Sequence, residues 1–282
     1  MAALEWDATG NKKYTLGIHK VVLFLADPSA PTGYAAGVAW DGVSAVNESP
    51  SGAETTDIYA NDAKYGSFRS AEQFGFTIEA YTSPKEFDQC DGCAEIGPGV
   101  FIRQQNRKPF GLAYMNTIGN DTMGMDYSEE LHLVYNATAS PSDVNHETVN
   151  ESPDVSPLSW ECNTTSVNVP GYKPTSHFIF KKEDMNQADW ESLLGMVHGT
   201  NNSDPVLPLP STIVTNFGGH YTYVLQTSES APSDWSTKYY TDYYTKYEDE
   251  YTLIPRQTPA PTYVADQYYK RVASTESTPT TI

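Results

Sequence analysis

Basic residues are scarce in this 282-residue chain: 17 Lys and Arg stand against 36 Asp and Glu, a formal net charge of -19. A groove that grips phosphates by displacing counterions needs the opposite balance, so nucleic-acid retention is excluded as the principal function. An acidic surface instead repels DNA or lets it pass. Cysteine is also rare, with Cys90, Cys93 and Cys162 as the only three. They cannot all pair within one chain, no disulfide framework is implied, and their scarcity fits a reducing compartment. Long apolar runs are missing. The run Val21-Val-Leu-Phe-Leu-Ala26 is too short for a signal-peptide core or a membrane span, so the chain is expected to stay in the cytosol until it is assembled. On that reading the six Asn-x-Ser/Thr triplets (Asn47, Asn120, Asn136, Asn150, Asn163, Asn201) are chance products of an Asn/Ser/Thr-rich composition rather than glycosylation sites.

The motifs that carry catalysis are missing as well. There is no G-x-x-x-x-G-K, no G-x-G-x-x-G and no G-x-S-x-G. Cys90-Asp-Gly-Cys93 has C-x-x-C spacing, but no second pair or histidines at ligand spacing follow, so it reads as two thiols on a glycine turn. His146-Glu147 opens like H-E-x-x-H, yet Asn150 occupies the second ligand position. Glu79 and Glu161 lie in strand-like segments near Trp160, which raises the question of a carboxylate-pair glycosidase. Period-2 alternation puts Trp160 and Glu161 on opposite faces, favouring a core tryptophan and a solvated glutamate. No catalytic, cofactor-binding or metal-binding residue is therefore assigned, and the expectation is a protein that is not an enzyme.

What is present is strand periodicity. Hydrophobic residues make up 39% of the chain, enough for one large, mainly β domain. Tyr14 to Leu25 becomes apolar on both faces toward its end, as expected of a strand buried on two sides. A second strand is expected from Ala36 to Val46. Residues 47 to 66 hold mainly polar and turn-forming residues and read as a long acidic loop, with Glu48, Glu54, Asp57, Tyr59 and Asp62 as candidate stacking contacts. Phe74, Phe76, Ile78 and Ala80 then alternate with Thr77, Glu79 and Tyr81, giving one buried face and one free face. Val100 to Gln105 and Phe110 to Asn116 read as two strands joined by the basic turn Asn106-Arg107-Lys108-Pro109. Further strands are expected at Leu131 to Tyr135, Leu158 to Asn163 and His177 to Phe180, about eight in all, which indicates a sandwich or barrel.

One helix stands out. Asp184 with Gln187 has capping-box spacing, Trp190, Leu193, Leu194 and Val197 form an apolar stripe, and Gly199 is placed to end it. Pro205, Pro208 and Pro210 are expected to exclude regular helix or central strand afterwards. After Gly218-Gly219 the composition shifts, because residues 221 to 282 contain 11 of the 20 tyrosines. This segment lacks the apolar content for an independent core and is expected to be held by neighbouring subunits.

Several strings, taken in order, resemble the major tail protein (tail tube protein) family of long, non-contractile-tailed bacteriophages, the siphovirus type. They are Ala39-Trp-Asp-Gly-Val43, Glu48-Ser-Pro-Ser-Gly-Ala-Glu54, Ser70-Ala-Glu-Gln-Phe-Gly75 with Thr77-Ile-Glu-Ala-Tyr81, Cys90-Asp-Gly92, Gln104-Gln105, Ile118-Gly-Asn-Asp121, Leu131-His-Leu-Val-Tyr135, Trp160-Glu161 and Lys173-Pro-Thr-Ser-His177. The resemblance runs from about Tyr14 to Phe217 and rests on order and spacing rather than on any one string. Cys93, in place of a small polar residue, and the Tyr-rich extension after Gly219 depart from it. It implies a tail-tube β-sandwich or barrel with one flanking α-helix, a long stacking loop and extended N- and C-terminal arms. The corresponding division is an arm at 1–13, a domain at 14–219 and an extension at 220–282.

The implied role is structural: hexameric rings of this chain stack into a hollow tail tube in the virion, assembled in the host bacterial cytoplasm. Its partners would be further copies of itself, a tape-measure protein in the bore, tail terminator and distal tail proteins, and double-stranded DNA in transit, with no membrane and no cofactor. Thr77 and Glu79 are then candidate lumen-facing residues, and Arg103, Arg107 and Lys108 a candidate inter-subunit basic patch. The alternative reading is a carbohydrate-binding or adhesin-like β-sandwich on the virion surface.

Overall fold

The computed structural model describes residues 6–142, 144, 148, 157–217, 221–228, 230–233, 235, 243–247, 250–253 and 261–273. The fold is mainly β and is dominated by one large antiparallel sheet. The chain divides into two compact units, one comprising 1–184 with 193–210 and the other 185–192 with 211–282.

In the first unit the principal strands are β1 (Lys13–Leu25), β2 (Val38–Ala39), β3 (Val43–Glu48), β8 (Gly75–Ala80), β11 (Phe110–Asn120), β12 (Gly124–Ala139), β13 (Leu158–Thr164) and β14 (His177–Lys181). They pair in the order β2-β1-β11-β12-β13-β8-β3, with β14 added to β12. The two ends of this path, β2 and β3, are separated only by Trp40-Asp41-Gly42. A sheet whose first and last strands are joined by so short a link must curl round on itself, and β1 and β3 do come together. The barrel interior follows from alternation. Val21, Leu23 and Leu25 of β1, Phe76, Ile78 and Ala80 of β8, Phe110, Leu112 and Tyr114 of β11, and Trp160 and Cys162 of β13 form one buried cluster.

Trp40 bridges the join. Its indole N–H donates to the Thr82 carbonyl at 2.8 Å and its ring packs on Phe87 and Trp160. Gly42, at φ 79°, makes the bend that breaks the expected Ala36–Val46 strand into β2 and β3. On the outer face, the segment Leu193–Pro210 covers β11 and β12: Leu193, Val197 and Leu207 are fully buried, and the Tyr135 hydroxyl donates to the Pro208 carbonyl at 2.7 Å. A side chain at Gly111 would collide with Leu207. This cover explains why β11 and β12 are buried on both faces over Phe110–Met115 and Leu131–Tyr135.

Several expectations need correction. Residues 47–66 are not a loop. Short β4 (Ser51–Gly52) pairs with β7 (Glu72–Gln73), and beyond them β5 (Thr55–Ala60) and β6 (Ala63–Arg69) form a hairpin. Asn61 and Asp62 both have positive φ, 52° and 60°, the requirement of a two-residue turn matched to strand twist. The expected hairpin across Asn106–Pro109 is not formed either. Val100–Ile102 (β10) pairs back to Ala94–Gly97 (β9), while β11 pairs with β1 and β12. The helix α1 (Gln187–His198) is capped by Asn186, not Asp184, because Asn186 Oδ1 accepts the Asp189 N–H at 2.9 Å. It ends at Gly199, φ 75°, as expected. The described chain has a second helix, α2 (Pro210–Phe217), for which Pro210 supplies the first turn, a position where its missing N–H leaves no hydrogen bond unmade.

In the second unit, the Tyr-rich region is a four-stranded antiparallel sheet and not an arm without a core. Strands β15 (Tyr221–Leu225), β16 (Tyr243–Tyr247), β17 (Glu250–Leu253) and β18 (Tyr269–Ala273) lie in the order β15-β18-β16-β17. Trp235 and Tyr243 are buried there with Tyr263 and Tyr268 packed around them, and the Trp235 indole donates to the Pro261 carbonyl at 3.0 Å. Aromatic rings give a small sheet more apolar area per residue than its aliphatic content indicates. His146, Glu147 and Asn150 lie outside the described residues.

Candidate functional site

At one mouth of the barrel the interior changes from apolar to polar. Along β11 the inward positions run Phe110, Leu112, Tyr114, Asn116, and along β12 they run Val134, His132, Glu130. The ladder pairs these strands antiparallel, so their polar ends coincide. Glu48 closes β3 opposite Phe76, and His177 opens β14 opposite Val134. These elements bring together Glu48, Tyr114, His132 and His177, residues as much as 129 apart in sequence.

The hydrogen bonds define one chain of donors. The Tyr114 hydroxyl donates to Glu48 Oε1 at 2.7 Å. With the Asn116 amide donating to His132 Nε2 at 3.3 Å, His132 carries its proton on Nδ1, and that nitrogen lies 3.0 Å from His177 Nε2 and 3.4 Å from Glu48 Oε1. Glu130 Oε2 stands 3.8 Å from His132 Nε2. The rings are clamped by stacking: Tyr114 covers His132 at 4.6 Å and Phe74 covers His177 at 4.2 Å between centroids. Burial, reinforced by the neighbouring His177, pushes His132 down to about 4, and burial also lowers His177. Burial together with the Glu48 carboxylate raises the Tyr114 hydroxyl far above its ordinary range. Both imidazoles are thus neutral near pH 7. His177 also lines a cavity of about 920 Å³ whose wall includes Arg69, Glu72, Phe74 and Lys173.

The residues singled out from sequence fall in separate places. Glu48 belongs to this polar layer and not to a stacking loop. Glu54 sits at the base of the β5–β6 hairpin, where its N–H donates to the Ser70 hydroxyl oxygen at 3.0 Å. Asp57 pairs with Lys64 at 2.8 Å and accepts from Ser67 within the hairpin, which holds its carboxyl below the ordinary range. Tyr59 is exposed on the hairpin and Asp62 is in its turn. Thr77 and Glu79 lie on the outer face of β8, as alternation requires, with Asn47 donating to Glu79 Oε1 at 3.1 Å. Glu161 is on the same outer face beside Thr77, while Trp160 is in the core.

Arg107 differs from its expected role. Its guanidinium reaches Asp91 at 3.3 Å and the carbonyls of Ala139 and Ser140 at 3.1 and 3.4 Å, anchoring the 90–107 segment to the end of β12. Arg103 is exposed, with Asp91 at 3.7 Å, and Lys108 is half-buried, so the three cations do not form one outward patch. Cys90, Cys93 and Cys162 are all free and buried, and burial pushes the Cys90 and Cys162 thiols up to about 12, which makes them inert packing groups.

Sequence reasoning missed the Glu48–His132–His177 cluster because no local spacing connects its members. The only signal was that His132 interrupts the apolar Leu131-Leu133-Tyr135 strand on its other face. The hairpin did carry a signal, the Asn61-Asp62 dipeptide between two strand-like runs. Among the described residues no helix is long and apolar enough to cross a membrane. Comparison with models of known protein families and with curated proteins yields no match to this chain.

Proposed function

We propose that the chain is a structural subunit that self-assembles, the major tail tube protein of a long-tailed phage, stacking as hexameric rings around a bore that passes DNA. The observation that carries this reading is the β5–β6 hairpin. Every residue of it except Gly66 is exposed, yet it presents Ile58, Tyr59, Tyr65 and Phe68 to solvent at 45%, 68%, 79% and 62% exposure. A two-stranded ribbon is marginal in isolation, and an apolar one is a contact element awaiting a surface. The β9–β10 hairpin repeats the pattern with Ile96, Val100, Phe101 and Ile102 exposed. Charge supports the same reading. The outer face of β3, β8 and β13 carries Asn47, Thr77, Glu79, Ser159, Glu161 and Asn163 and no cation, a surface along which a polyanion would slide without binding.

Negative-stain microscopy of the purified chain, concentrated alone and with tail-initiating proteins, tests the proposal. Rings or tubes of uniform diameter are expected. Excising Thr55–Arg69 and joining Glu54 to Ser70, whose main chains are already hydrogen-bonded at 2.9 Å, is expected to leave a folded monomer that builds no tubes. Normal tubes from that variant would overturn the role of the hairpin, and dispersed monomers under every condition would overturn the proposal itself.

A further inference from the structure

We propose that Glu48, His132 and His177 form a binding site for one divalent transition-metal ion of the zinc class, which pins β3 to the β12–β14 ladder. The donor set is two imidazole nitrogens and one carboxylate, a combination that zinc takes at bond lengths of about 2.0–2.2 Å. Nδ1 of His132, Nε2 of His177 and Oε1 of Glu48 are separated by 3.0, 3.4 and 4.0 Å. A triangle with those sides has a point roughly 2 Å from all three corners, the zinc–ligand distance.

The rings themselves are nearly in place. Their centroids are 5.2 Å apart, and two imidazoles on a tetrahedral ion with such bonds stand about 5.2 Å apart as well. Tetrahedral donors stand about 3.3 Å apart, so the Nδ1–Nε2 edge opens by a few tenths of an ångström from 3.0 Å and the Nε2–Oε1 edge closes from 4.0 Å, the latter by a shift of the half-exposed Glu48 side chain. The proton on His132 Nδ1 moves to its own Nε2, so the ring stays neutral, and the Asn116 amide, 3.3 Å away, turns over to present its oxygen to the new N–H. Glu130, 3.8 Å from that Nε2, is positioned to receive the new N–H, the carboxylate–histidine arrangement that orients metal-ligating imidazoles. The Tyr114 hydroxyl already orients the Glu48 carboxylate. The Glu48 side chain is 37% exposed, which gives the ion access from solvent and leaves the fourth position to water.

The structural effect follows from topology. Glu48 ends β3, which among the described residues pairs only with β8, whereas His132 and His177 sit on strands paired with each other. The ion would join β3 to β12 and β14, which no ladder pairs directly with it among the described residues.

The full chain, stripped with EDTA, is titrated with Zn(II) by calorimetry and with Co(II) by visible absorption. One equivalent is expected to bind, with Co(II) bands of the intensity given by four-coordinate nitrogen and oxygen ligation and no sulfur charge transfer. Because His132 is buried and its loss endangers folding, the informative variants are Glu48→Gln and His177→Gln, each checked for an unchanged far-ultraviolet spectrum. Each should weaken Zn(II) by 100-fold or more, and Glu130→Gln by about 10-fold. Absence of saturable binding, or an affinity unaltered in both Glu48→Gln and His177→Gln, would overturn the site. Neither outcome bears on tube formation, which is read separately by microscopy.

Discussion

The β11–β12 ladder and the β5–β6 hairpin are both antiparallel pairs built from β-favouring residues, yet they stand at opposite extremes of burial. Phe110 to Met115 and Leu131 to Tyr135 are sealed on both faces, whereas Thr55 to Arg69 is open on both. The ladder draws its stability from surface removed from water, on one side by the barrel interior and on the other by the Leu193–Pro210 cover. The hairpin draws on local means: a positive-φ turn at Asn61-Asp62, the Asp57–Lys64 ion pair and the Ser70–Glu54 closure. One region holds the fold. The other leaves apolar side chains in solvent.

This contrast can be broken at its strongest point first. Phe76→Ala, at a site with no exposure beside Phe74 in the buried cluster, is expected to cost about 3–5 kcal/mol in denaturant unfolding, through lost burial and the cavity left behind. Arg107→Ala removes a charged donor shared by Asp91 and the carbonyls of Cys90, Ala139 and Ser140, and about 2 kcal/mol should be lost in the same assay, with Arg107→Lys recovering only part because ammonium cannot serve that set of acceptors.

Gly199→Ala forces an alanine to φ 75° with a new Cβ 2.9 Å from the Pro205 nitrogen, and about 1–2 kcal/mol of stability should be lost, read as a lower melting temperature. Asn186→Ala removes the α1 cap and should cost about 1 kcal/mol. At the far end, Tyr59→Ser and Phe68→Ser on the hairpin should change unfolding free energy by no more than about 0.5 kcal/mol while reducing particle assembly in sedimentation. A large stability loss from those two changes would show that the hairpin is packed within its own chain, and would erase the contrast.

Much of the barrel was legible in the sequence. Alternation in Phe74–Tyr81 and Leu158–Asn163 assigned the inward and outward residues of β8 and β13 correctly, because a half-buried strand writes its burial with period two. The amphipathic stripe and Gly199 located α1 for the same kind of reason, and its cap was misplaced by two residues because Asp184 and Asn186 are both able caps and only the chain path into the helix distinguishes them. Strand pairing was less legible. Val100–Ile102 turned back to Ala94–Gly97 and not forward to β11, since Arg107 is drawn under Asp91 and the end of β12, a contact between residues distant in sequence.

The sequence by itself determined that this is an acidic, mainly β chain with one well-marked helix, free thiols and no local catalytic motif, because charge, alternation and capping act over a few residues. Tertiary structure alone decided that the first and last strands of the sheet close round Trp40, that tyrosines and Trp235 form a core in the second unit, and that Glu48, His132 and His177 meet at one barrel mouth. Such meetings depend on strand order and register. Those are set by how a whole curled sheet buries its apolar face, a quantity that no stretch of the chain carries alone.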